Sequence, residues 1–163
     1  MFVVRNRWAK AGLVVAVFVV VSIIGRALGF VPGPTGAIVV AVLHCLGVLA
    51  LTRVFRGPEE SDAPRPGWRM TATSGWSSGL GTLWLVSAFL GVVTAVTGPL
   101  LGTSADTAAS MGISTPAYFV VLAVEIVGQV VLLVLFVRSG RRLRALAQTA
   151  PARPTGAGPR LPS

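Results

Sequence analysis

Polar residues along the chain gather in a few short stretches that separate four long apolar runs. The runs cover residues 9–28, 36–55, 77–98 and 116–137. Each is near the roughly 20 mostly apolar residues that a helix needs to cross a hydrocarbon core. Their ends carry helix punctuation. Gly29-Phe30-Val31-Pro32-Gly33-Pro34 cannot continue a helix, because each proline lacks an N–H and fixes φ. Gly98-Pro99 is expected to stop the third run. Thr115-Pro116 reads as an N-cap followed by proline at the first helical position. The pattern predicts an all-α membrane protein, a four-transmembrane-helix up-down bundle occupying residues 1–147. Residues 57–69 are polar and Pro-rich, a loop between the second and third spans. Residues 99–115, rich in Ala, Ser and Thr, leave room for a short helix on the outer surface. Residues 148–163 are rich in Pro, Gly, Ala and Arg, the composition of a disordered tail.

Charge orients these spans. Of the 14 Lys and Arg residues, Lys10 alone is lysine, and all but Arg26 fall on one side of the four-span arrangement. An excess of Lys and Arg marks the cytoplasmic side, so both termini are expected there, in a multi-pass protein of the plasma membrane. Trp8, Trp68 and Trp76 fall near the same interface, where indole rings prefer to sit. A competing reading makes the first run a signal peptide, with Arg5, Arg7 and Lys10 as its basic start and Ala27-Leu28-Gly29 as the cut. The length of the run and Arg26 beside the cut oppose it.

Composition removes several function classes. The chain is 53% hydrophobic and only 12% charged, with mean hydropathy +0.79; soluble domains are about 25% charged. A water-soluble chain this poor in charge could not cover its own surface. The net charge of +9 would suit nucleic acid, but the basic residues sit where membrane topology puts them, so no nucleic-acid partner is expected. Cys45 is alone, which excludes an intramolecular disulfide and a Cys-rich metal site. It reads as a small buried hydrophobe. The dominance of Arg over Lys, with much Ala, Gly, Val and Pro, suggests a bacterial genome of high GC content.

Candidate chemistry centres on Glu125. It lies about 12 Å below the outer end of its helix, close to the bilayer midplane, where a charged carboxylate costs at least ~2.5–3.5 kcal/mol. It is therefore expected to face other helices or a wet cavity, as a proton or cation site, as a neutral acid bonded across the bundle, or as a contact for a protein partner. Tyr118, Glu125 and Gln129 form one polar stripe at helical spacing. His44, the only histidine, reaches a similar depth on the second span, either as a neutral imidazole bonded to a neighbouring side chain or carbonyl or as the partner of Glu125 in a proton relay. Arg26, near the outer end of the first span, is expected to reach the headgroups. Ser87, Gly91, Thr94 and Gly98 form a small-residue packing face on the third span, suited to assembly within the chain or with a second copy. Arg138, Arg141, Arg142 and Arg144 form a polybasic cluster expected to contact anionic lipid headgroups. No catalytic set, nucleotide loop or cofactor motif is present, and Asp106 alone on the outer loop is no active site. The expected function is that of a non-enzymatic membrane component acting by helix–helix assembly, as a homo-oligomer or partner subunit. The alternative is a small proton- or cation-coupled transporter built on Glu125.

Overall fold

The computed structural model describes residues 4–28, 33–57, 60, 63 and 65–149. Among these it contains five helices: α1 (Arg7–Leu28), α2 (Thr35–Val54), α3 (Ser74–Leu100), α4 (Thr103–Ser110) and α5 (Thr115–Thr149). No strand accompanies them; an isolated bridge joins Val4 to Phe55. Helices α1, α2, α3 and α5 are long and apolar enough to cross a membrane. Helix α4, Thr-Ser-Ala-Asp-Thr-Ala-Ala-Ser, is short and polar, and falls in the segment expected to hold a surface helix.

The helix ends differ from expectation in three places. Pro99 does not stop α3, which runs on to Leu100. The helix ends within one residue of the proline, and the next donors find carbonyls, Leu101 N on Thr97 O at 3.0 Å and Gly102 N on Pro99 O at 3.3 Å. The chain turns instead at Gly102, whose φ of 74° a side-chain-bearing residue rarely adopts. Ser114, not Thr115, caps α5: its Oγ accepts from Ala117 N at 3.4 Å and its carbonyl from Tyr118 N at 2.9 Å. Pro116 remains in the first turn, where a missing donor is harmless. Finally, α5 continues past residue 137 to Thr149, taking in the first two residues of the expected tail; from residue 150 that tail lies outside the described residues. Gly29 to Pro32 of the first helix breaker do so too.

Helix α5 is the hub, packing on α2, α3 and α4, whereas α1 packs on α2 alone. The neighbour order of the apolar helices is thus α1–α2–α5–α3, an open arrangement rather than a ring in sequence order. Small residues explain the choice. Lipid is as apolar as leucine, so bulky residues gain little by leaving it, and close backbone approach decides which faces meet. A Cβ on Gly47 of α2 would lie 2.8 Å from Val17 of α1, and one on Gly91 of α3 would lie 2.9 Å from Ile126 of α5. Val15, Phe18, Val19 and Ile23 on α1 stay exposed. Helices α3 and α5 run antiparallel, because Gly81 meets Val137 while Gly91 meets Ile126.

The buried face of α3 follows Ser77, Gly81, Ala88 and Gly98, with Trp84, Gly91 and Ala95 half-buried between them. That alternation of four- and three-residue steps is a coiled-coil-like seam. The expected face shares only Gly91 and Gly98 with it. Ser87 is half-buried on one flank and Thr94 is exposed. The seam tilts toward Ala88 and Ala95, which are smaller and bring α5 closer. Leu132 and Phe136 of α5 and Met70 of the loop before α3 form the buried core, flanked by Cys45, Val48 and Trp84.

Candidate functional site

The polar residues of the apolar helices divide between two seams. Glu125 is exposed on α5 at its border with α2, where its electrostatic neighbours are His44 and Cys45. The sequence left it facing either other helices or a wet cavity. His44 is half-buried, its ring tilted 42° against Phe18 of α1 at a centroid distance of 5.4 Å. Gln129, one turn along α5, turns toward α3 and lies near Gly91. Its Oε1 is buried and accepts no hydrogen bond among the described residues. Tyr118 stays near the start of α5, half-buried and edge-on to Phe119 at 5.6 Å. The structure therefore leaves His44 an electrostatic neighbour of Glu125 rather than a bonded partner among the described residues, sets Gln129 against α3, and leaves Tyr118 apart. Arg26 is exposed beside Ser22 on the face of α1 turned away from α2. Among the described residues, no three His, Cys, Asp or Glu side chains cluster as metal ligands would.

The second organised region lies at the basic end, where α2 stops and α3 starts. The loop expected to be merely polar is folded around Glu60. Arg65 Nε donates to Glu60 Oε1 at 2.7 Å and Arg65 Nη2 bonds Glu60 Oε2, while Arg69 stands 3.5 Å from the carboxylate. The pair is shielded, with side-chain exposures of 4% for Arg65 and 11% for Glu60. The Arg65 hydrogen bonds, helped by Gly57 N–H at 3.0 Å, hold the Glu60 carboxyl at about 2, well below its ordinary range, against a smaller opposing effect of burial. The same guanidinium reaches Thr52 O at 2.8 Å and Met70 O at 3.2 Å. Thr52 O belongs to the last turn of α2, whose carbonyls lack helical donors. Arg53 binds Gly67 O at 2.7 Å and Lys10 binds Arg56 O at 2.6 Å. Val4 joins this collar by exchanging backbone bonds with Val54 and Arg56, both 3.1 Å. Residues that sequence reasoning used only as orientation marks are thus donors that close the end of α2. One signal was available: Glu60 is an acid in a stretch flanked by Arg53, Arg56, Arg65 and Arg69.

Beneath the collar, hydroxyls tie α3 to α5. Ser139 Oγ accepts from Met70 N at 3.0 Å and from Ser77 Oγ at 3.2 Å, and Ser77 Oγ lies 2.6 Å from Thr71 Oγ1. Ser77 and Ser139 are fully buried. Past this knot Arg138, Arg141, Arg142 and Arg144 are exposed on α5. Arg142 lies over the Trp68 ring at 5.6 Å, and Arg144 is hydrogen-bonded to Ser78 Oγ. Compared with protein-family models, curated proteins and solved structures, the chain matches no family model, no curated protein and no solved structure.

Proposed function

We propose that this chain is a small multi-pass protein of the bacterial plasma membrane, with both termini cytoplasmic, that works without catalysis by helix–helix assembly with a second copy or a partner subunit. Its four long apolar helices are compatible with a small membrane protein. The observation that carries the assembly reading is the exposure of Glu125 on the α2/α5 border. A carboxyl near the midplane that faced lipid would be costly even when neutral, since it would lack hydrogen-bond partners. A helix from another chain, bearing a donor or acceptor, relieves that cost. The open order of the helices leaves the border accessible to one. Native mass spectrometry from mild detergent tests the idea by counting chains and co-purifying subunits. Wild type and Glu125→Gln, which keeps a hydrogen-bonding group, should hold the same complex, and Glu125→Leu should lose it. A single chain for all three would end the assembly reading.

A second reading has one specific support, the electrostatic neighbourhood of Glu125 and His44 across α2 and α5. In this alternative the pair carries protons or small cations, in an oligomer because four helices are few for a pathway. Glu125→Gln would then keep the fold but abolish pH-dependent flux in proteoliposomes. Wild-type vesicles no leakier than empty ones under proton or sodium gradients would remove it.

A further inference from the structure

At the basic end, α3 and α5 enclose a groove of about 220 Å³. Its two walls change character in the same direction. On α5 the lining passes from Arg144 and Arg141 to Val137 and Leu133; on the antiparallel α3 it passes from Ser78 and Thr82 to Leu85. Arg144 lies eleven positions along α5 from Leu133, about 16 Å of helix. A groove that is cationic at one end and apolar at the other fits an anionic amphiphile lying along the helices. Among the described residues no Asp or Glu lines it, and Glu60, the acid of the neighbouring collar, is held by Arg65 and Arg69. Arg144 is steadied over the groove by its bond to Ser78, while the Thr82 hydroxyl donates to Ser78 O at 3.1 Å and serves as wall. Arg138 and Arg142 belong to the same polybasic run but do not line the groove; Arg142 is occupied with Trp68.

We propose that this groove is a binding site for one anionic membrane phospholipid, its phosphate held by the fork-shaped guanidinium groups of Arg141 and Arg144 and an acyl chain laid against Val137, Leu133 and Leu85. Arginine suits the role because its planar donors match phosphate oxygens in pairs. The apolar half of the groove selects a lipid over a free phosphate, which would leave it unfilled. The site rests on the membrane-spanning reading above and is narrower than a general attraction of basic residues to an anionic surface. That attraction is worth about fivefold in affinity per basic residue wherever the residue sits near the surface, so it treats all four arginines alike. The groove does not.

The test is native mass spectrometry of the full chain in neutral detergent with equimolar phosphatidylglycerol and phosphatidylcholine. One phosphatidylglycerol per chain is expected to survive in preference to phosphatidylcholine. Arg141→Gln/Arg144→Gln should weaken it at least about tenfold more than Arg138→Gln/Arg142→Gln, a margin that diffuse attraction cannot produce. Thr82→Trp, which fills the groove and keeps every charge, should displace the lipid too, and carries the test should the arginine variant fail to fold. Equal losses in the two arginine pairs would overturn the site, as would equal retention of the two lipids. Displacement by glycerol phosphate at the lipid's own concentration would also overturn it, by pointing to a soluble anion. The same spectra count chains, so loss of lipid with unchanged chain number, or the reverse, separates the groove from the assembly reading. A chain that stays soluble without detergent would refute the membrane reading that both share.

Discussion

Adding one methyl group at two positions of α3 isolates the strength of the α3–α5 seam. A Cβ on Gly91 would lie 2.9 Å from Ile126 Cγ1 and 3.8 Å from Gln129 Oε1, whereas one on Gly79 meets nothing within 4 Å. Glycine to alanine gains about 0.8–1 kcal/mol of helix propensity at either position, so this gain cancels when the two variants are compared. Carbon atoms rest at about 3.5–4.0 Å, which leaves an overlap at Gly91 of roughly 0.6–1.1 Å. Ile126 Cγ1 is close to its backbone and cannot swing clear, so the helices must part by a similar distance. A radial gap of ~0.5–1 Å forfeits a quarter to a half of each dispersion contact it opens, and overpacking of this kind costs about 1–3 kcal/mol. Gly91→Ala should therefore melt about 2–12 °C below Gly79→Ala, at the roughly 2–4 °C per kcal/mol of a chain this size. The assay is thermal unfolding in detergent followed by circular dichroism at the helix band. Gly91→Leu should fall further still. Matching melting temperatures for the two alanine variants would refute the seam, because the face at Gly91 would then be looking at lipid.

Glu60 links stability to acid: its folded value near 2 lies below the ordinary 4.5, so its contribution is complete above about pH 4.5 and is lost as pH falls toward 2. Glu60→Gln should flatten the melting temperature of the wild type across that window, and parallel curves would refute the collar. Ser139→Ala removes the acceptor of Met70 N–H and of Ser77 Oγ, and should cost about 1–3 kcal/mol in detergent unfolding; a variant as stable as wild type would show the knot to be inert. Reporter fusions after Arg56 and after Arg144 should report cytoplasm and one near Asp106 the outside, and a cytoplasmic signal near Asp106 would refute the four-span topology.

The long helices were legible because one property, apolar length, sets them, and no neighbour is needed to read it. The short helix α4 was legible for a similar reason, being a polar Ala- and Thr-rich piece in a long connection. Packing faces were harder. Ser87 and Ala88 are adjacent in sequence and both small, and only the position of α5 decides that Ala88 is buried and Ser87 partly so. The exposure of Glu125 was illegible on the same ground, since it depends on which helix stands beside α5. That Glu125 and His44 lie at similar levels of their helices was expected from helix rise, which needs only residue numbers. The Glu60 collar joins Arg5, Arg65 and Arg69 to one residue. Two of those partners are local, yet positive residues beside a span are ordinarily read as orientation marks, and that reading hid their use as donors.

Helix α5 has 35 residues, a rod of about 52 Å, while the hydrocarbon layer that its apolar part would cross is only about 30 Å thick. Some 20 Å of continuous helix would therefore extend beyond it, stiffened by the Ser77–Ser139 knot. A rod clamped at one level acts as a lever. If bilayer thickness changes and α5 adjusts by tilting a further ~10°, as spans do under mismatch, the protruding end sweeps sideways by roughly 3–4 Å, and Leu146 and Thr149 move with it. In a bilayer the last turns of α5 would thus convert a property of the surrounding lipid into a displacement in water, at a distance from the lipid itself.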